Sequence, residues 1–116
     1  MFTAFNERND FSYAFKKIRN AISAPGENNV YAATELGLGI LLRKYEQFRR
    51  ELDVAGELGN WEYDLDTYNH CIAVLQRYFT GNPSGLTERD ARIYSQYLQT
   101  EHKGFVKLAE ELAADR

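Results

Sequence analysis

The chain has 116 residues, 44% of them apolar and 27% charged, and a net charge of −3 at pH 7. That length makes one domain whose core needs no disulfide or metal to hold it, and the composition excludes a disordered chain. The mild acidity argues against wholesale nucleic-acid binding, which calls for a basic face, and no apolar run reaches membrane-spanning length.

A single domain over residues 1–116 is therefore expected. Charge is nearly even along it: residues 1–55 carry eight basic and seven acidic side chains, residues 56–116 six and ten. The opening residues Met1 to Asn6 lack the basic-then-apolar pattern of a secretory leader. They hold Phe2 and Phe5, and so are expected to pack down. The lone Cys71 has no partner within the chain, and reads as a buried free thiol in a reducing, cytoplasmic setting.

The first helix is expected from Asn9 or Asp10, either of which suits a cap, to Ala24. Its apolar stripe is Phe11, Phe15, Ile18 and Ile22, with Ala14 and Ala21 beside it. Pro25 to Asn29 is a turn by composition. A second helix follows to Val54, with a seam of Tyr31, Thr34, Leu38, Leu41, Tyr45, Phe48 and Leu52. Gly37 and Gly39 interrupt it, each costing about 1 kcal/mol against Ala, which fits a kink or frayed first segment or, slightly favoured, a close crossing by another helix or chain.

The third helix carries the clearest periodicity in the chain. Trp61, Leu65, Tyr68, Ile72, Leu75 and Phe79 recur at spacings of three and four, one continuous stripe. Asn60 is its expected cap, and Gly81 within the break from Thr80 to Gly85 its expected stop. Thr87 with Asp90 three residues on, and Leu86 with Ala91, form a capping box and hydrophobic staple for the fourth helix. Its seam runs Ala91, Tyr94, Leu98, Phe105, Leu108 and Leu112, with Glu101 where an apolar residue would be expected. Four helices with short loops predict an all-α antiparallel bundle.

Chemistry is sparse. His70 and His102 lie on different helices, and no Glu-x-x-His pair of the di-iron bundle type occurs, so no metal or other cofactor is expected. Asp64-Leu65-Asp66 opens like a calcium loop, but Asn69 stands where its Gly belongs and Leu75 where its closing Glu belongs. His70 and Cys71 are neighbours on a helix and do not face each other. A Cys71 pair with His102 across the bundle is the remaining enzymatic or metal-binding option, and it ranks third. Gly37-x-Gly39 lacks the strand and Lys of a phosphate loop. A non-enzymatic role is expected.

Two surfaces remain. Lys16, Lys17 and Arg19 on the first helix, with Arg43, Lys44, Arg49 and Arg50 on the second, make a basic candidate for nucleic acid, with Tyr13 or Tyr31 for stacking. Glu46, Glu51 and Asp53 neutralise much of it, so this reading ranks second. The surplus of aromatics, eight Tyr and seven Phe, favours a protein interface. The expected contacts are Trp61, Tyr63, Tyr78 and Tyr97, with Arg49 and Arg50 as charged anchors. The partner would be another protein or a second copy of the chain, in the manner of an adaptor, an immunity or inhibitor protein, or a phage-type regulator.

Overall fold

The computed structural model describes residues 2–5 and 8–114. Its elements, in chain order, are α1 (Arg8–Ser23), α2 (Glu27–Tyr31), a π-helical segment (Ala32–Leu38), α3 (Gly39–Val54), a short 3₁₀ turn (Leu58–Asn60), α4 (Glu62–Phe79) and α5 (Glu88–Ala114). The segment from α2 through α3 is one continuous rod, so the described residues form four rods, all helical. α1 packs on the π segment and on α5, α3 on α4, and α4 on α5, which closes the rods into a ring. α1 and α4 each run antiparallel to α5: Phe11 of α1 meets His102 while Ser23 meets Arg92, and Tyr68 of α4 meets His102 while His70 meets Tyr94. The all-α four-helix reading is what the structure shows. No helix among the described residues is long and apolar enough to cross a membrane.

Local chemistry sets the rod lengths. α3 and α4 both end in Schellman turns. Gly56 takes φ 76° while Glu57 N–H returns to the Leu52 carbonyl at 2.9 Å; Gly81 takes φ 83° while Asn82 N–H returns to Arg77 at 2.9 Å. Both glycines occupy the left-handed region that a Cβ disfavours. Asn82 then closes the loop by pairing its amide side chain with both backbone groups of Leu86 at 2.9 Å. The capping box forms as expected: Asp90 N–H donates to Thr87 Oγ1 at 3.1 Å, and Thr87 N–H to Asp90 Oδ2 at 3.2 Å.

Three expectations on caps and seams are corrected. Asn60 does not cap α4; it sits in the 3₁₀ turn and bonds Glu57, leaving Trp61 as the N-cap with no side-chain bond. α1 begins at Arg8, ahead of Asn9 and Asp10, whose side chains lie outside the described residues. Tyr31 leaves its expected seam and is 66% exposed. The wider turns of the π segment shift the phase of everything before it, so that Ala33, Gly37 and Leu38 turn inward instead.

The π segment lies where α1 crosses. A Cβ on Gly37 would stand 3.0 Å from the Ala14 carbonyl oxygen and 3.0 Å from Ile18 Cγ1, so only glycine lets the two backbones meet here. The N-terminal residues also pack down. Phe2 and Phe5 are buried, and Thr3 and Ala4 donate their N–H groups to the Glu51 carboxylate at 2.9 and 3.2 Å.

Gly37→Ala is expected to destabilise the fold by about 1–3 kcal/mol through overpacking. Gly104→Ala, whose Cβ would meet nothing within 4 Å inside α5, is expected to stabilise it by about 1 kcal/mol. Urea midpoints of the two variants check this, and shifts of the same sign would refute the close-crossing account.

Candidate functional site

The bundle interior is aromatic. Phe5, from the N-terminal segment, contacts the rings of Phe11, Phe48, Tyr68, His102 and Phe105 at centroid distances of 4.9 to 6.1 Å. His102 is inside this cluster, 4.0 Å from Phe11 and 5.2 Å from Phe15 between centroids, and 5% exposed. Its Nδ1 lies 3.1 Å from the Tyr68 hydroxyl. When Tyr68 donates, the imidazole proton sits on Nε2, which has no hydrogen-bond partner among the described residues and is surrounded by Phe rings whose faces accept such a proton weakly. Burial lowers the His102 pKa to about 4 and raises that of Tyr68 well above 10. Both are therefore neutral at pH 7.

The other half of the third-ranked chemical reading is equally enclosed. Cys71 is buried, and its pKa is raised by that burial and then by Glu101. Nothing nearby favours the thiolate that nucleophilic chemistry needs. His70 is on the surface, its ring 6.2 Å from that of Tyr94. Among the described residues no three His, Cys, Asp or Glu side chains converge as a metal site.

The expected contact residues divide into three groups. Tyr63 is 82% exposed and Tyr97 59% exposed. Between α4 and α5 runs a groove that holds a recess at each end. The recess of about 70 Å³ is lined by Trp61, Asp64, Glu101, Gly104, Phe105 and Leu108. The other, of about 240 Å³, lies beside His70, Val74, Arg77 and Tyr94 and is closed by the loop after α4. Trp61 and Tyr78 are only half-exposed. Trp61 packs on the core beside Phe105 and Leu108. Tyr78 stacks edge-on to Phe79 at 5.3 Å, roughly 22 Å farther along α4 than Tyr63 at 1.5 Å per residue. The structure thus places Trp61 at the lining of one recess, Tyr63 and Tyr97 exposed on the two helices, and Tyr78 toward the C-terminal end of α4.

Arg49 and Arg50 form the third group. Both are exposed on α3, in a shallow recess of about 230 Å³ shared with Glu46, Asp53 and Leu58. Arg49 also acts on Tyr45, whose ring stacks on Tyr68 of α4 at 5.9 Å. Arg49 therefore stands near the α3–α4 seam, one rod away from the groove.

In the floor of the groove, burial and the neighbouring Asp64 hold the Glu101 carboxyl above its usual range. Neither carboxylate has a cation within salt-bridge distance among the described residues. Of the alternative basic set, Lys17 Nζ lies 4.9 Å above the Tyr13 ring on α1, a cation–π contact, with Lys16 exposed beside it. Arg43 reaches back toward Gly39, on the other rod.

Sequence reasoning missed Ser95 and His102 as interior positions. Both sit on the buried stripe of α5, where Ala91, Ser95, Leu98, His102, Phe105 and Ala109 recur at spacings of four and three. Spacing alone would have found them had polar residues been admitted to the seam.

Compared with known protein families, with characterised proteins and with solved structures, the chain has no significant match in any of the three.

Because the folded pKa of His102 lies below its ordinary value of 6.5, the unfolded chain takes up the proton first as pH falls. The stability from the neutral imidazole is complete above about pH 6.5 and is lost progressively toward pH 4, on the order of 3 kcal/mol. Denaturant unfolding from pH 7 to 4.5 should therefore show a steeper loss in the wild type than in His102→Gln. Parallel curves would contradict this assignment.

Proposed function

We propose that the chain is a non-enzymatic protein-interaction module that docks another protein, or a second copy of itself, on its α4–α5 face. The observation that carries this reading is the exposure of Tyr63 on α4 and of Tyr97 on α5. Large aromatics leave water at a gain, and interface hot spots are enriched in Tyr and Trp set beside a recess. The recesses beside Trp61 and Tyr94 supply concave ground for a partner's side chains. Arg49 and Arg50 act as rim charges on the adjoining rod, where they affect encounter more than affinity. The burial of Cys71 and of His102 supports a structural role for both. A cytoplasmic setting agrees with a free thiol. The roles that fit a module of this size are adaptor, immunity or inhibitor protein, or phage-type regulator, an analogy from size and class.

A second reading has its own observation. Lys17 over Tyr13, with Lys16 exposed next to it, is a small basic and aromatic patch on α1 of the kind that holds single-stranded nucleic acid. Arg43 and Lys44 would have to extend it across to α3, where acidic neighbours dilute the charge.

Affinity capture from native-host lysate, with and without nuclease, distinguishes the two. Tyr63→Ala and Tyr97→Ala should leave unfolding within about 0.5 kcal/mol of wild type, as surface substitutions do, and should reduce capture of a nuclease-resistant protein at least tenfold together, since hot-spot truncations cost about 1–2 kcal/mol each. Capture that is unchanged in the double variant would sink the α4–α5 assignment. Capture lost to nuclease would promote the α1 patch. Sedimentation of the pure chain tests self-association on the same variants.

A further inference from the structure

On the side of α5 away from the α4 groove, a cleft of about 80 Å³ opens between α1 and α5. It is lined by Arg19, Ile22, Arg92, Ser95, Gln96 and Gln99. That volume is far below the roughly 300 Å³ or more of a drug-sized pocket, so it has room for one small chemical group. Every polar side chain in its lining can donate a hydrogen bond, and no carboxylate lines it.

Two guanidinium groups come from opposite walls. Arg92, on α5, is held at the rim: one of its terminal nitrogens donates to Ser23 Oγ at 3.1 Å and to Glu88 Oε1 at 3.3 Å. A guanidinium has five N–H donors, and these contacts orient the plane while leaving the others free. Arg19, on α1, makes no hydrogen bond or ion pair with any described residue.

Ser95 supplies an independent sign. It is 5% exposed, yet its hydroxyl has no partner among the described residues. A helical Ser normally bonds the carbonyl four residues back, as Thr34 and Thr67 do here at 2.7 and 3.0 Å. Ser95 instead lines the cleft. Its oxygen is reachable from the cleft rather than sealed in the core, and the two Arg residues beside it select the charge of whatever would bind there.

We propose that this cleft binds a phosphate group. Arg19 and Arg92 would grip the oxygens from the two walls, Ser95 would donate from the floor, and the Gln96 and Gln99 amides would complete the shell. Donors arriving from two walls and a floor match a tetrahedral oxyanion, whereas a planar carboxylate is satisfied by a single guanidinium fork. Ile22 lies beside the oxyanion position, against the carbon side of an ester. The same chemistry serves free inorganic phosphate and a phosphate ester on a larger molecule. The site is independent of the α4–α5 face and stands or falls without it.

The test is a titration of the isotope-labelled chain, read by amide chemical shifts at constant ionic strength, with inorganic phosphate, O-phosphoserine and acetate in separate arms. Saturable shifts confined to residues 19–23 and 92–99 are expected with phosphate. Arg19→Gln, which breaks no contact in the fold, should weaken binding about tenfold by removing a charge-assisted pair. Ser95→Ala should weaken it several-fold while leaving the rest of the spectrum in place. Tighter binding of phosphoserine would assign the site to an ester, and equal or weaker binding to the free anion. Shifts that never saturate, that acetate reproduces, or that persist unchanged in Arg19→Gln would overturn the proposal.

Discussion

The fold depends on a cluster of seven rings: Phe5, Phe11, Phe15, Phe48, Tyr68, His102 and Phe105. They come from the N-terminal segment and from all four rods, so no pair of helices can dock in its final register without the others. Aromatic pairs at such distances add directional preference to plain burial, and the Tyr68–His102 hydrogen bond fixes the position of α4 against α5. A neutral imidazole is acceptable there only because the rings exclude water and any counter-charge. The polar bond that sets register thus also ties the fold to a pH at which His102 is unprotonated. Replacing the pair with apolar residues could retain burial, but it would remove the one contact in the cluster that has a preferred partner.

The sequence revealed much of this where period and chemistry agree. The α4 stripe was legible because each of its members is apolar and the phase never slips. Gly81 marked a helix end because a Schellman turn needs a left-handed residue. Thr87 and Asp90 formed their box because both bonds are local. The failures are just as specific. Tyr31 was assigned inward because 3.6 residues per turn was carried through Ala32–Leu38, where the wider π turn breaks the count. The composition of that stretch offers only Gly37 as a warning. His102 and Ser95 were passed over because they are polar, although their spacing put them on the stripe, and Glu101 drew notice in their place.

Of the surfaces, exposure was the part the sequence could not supply. Trp61, Tyr63, Tyr78 and Tyr97 look equivalent as letters, yet they differ because a helix end, a solvent-facing edge and a rod terminus bury different shares of a ring. Trp61 is drawn inward since it opens α4 against the last turns of α5. Tyr63, two residues on, points away for the same geometric reason. Arg19 and Arg92 lie far apart in the chain, and only the antiparallel pairing of α1 with α5 brings them to one cleft.

α5 consequently presents three different surfaces around its circumference. Its centre, Leu98, His102 and Phe105, closes the core. One flank, Tyr94, Glu101 and Gly104, lines the recesses toward α4, and the other, Arg92, Ser95 and Gln99, the cleft toward α1. Ser95 and Leu98 are one turn apart on the same buried stripe. The middle of α5 is held in place by the hydrogen bond between Tyr68 and His102, so the position of both flanks is set by one contact in the core.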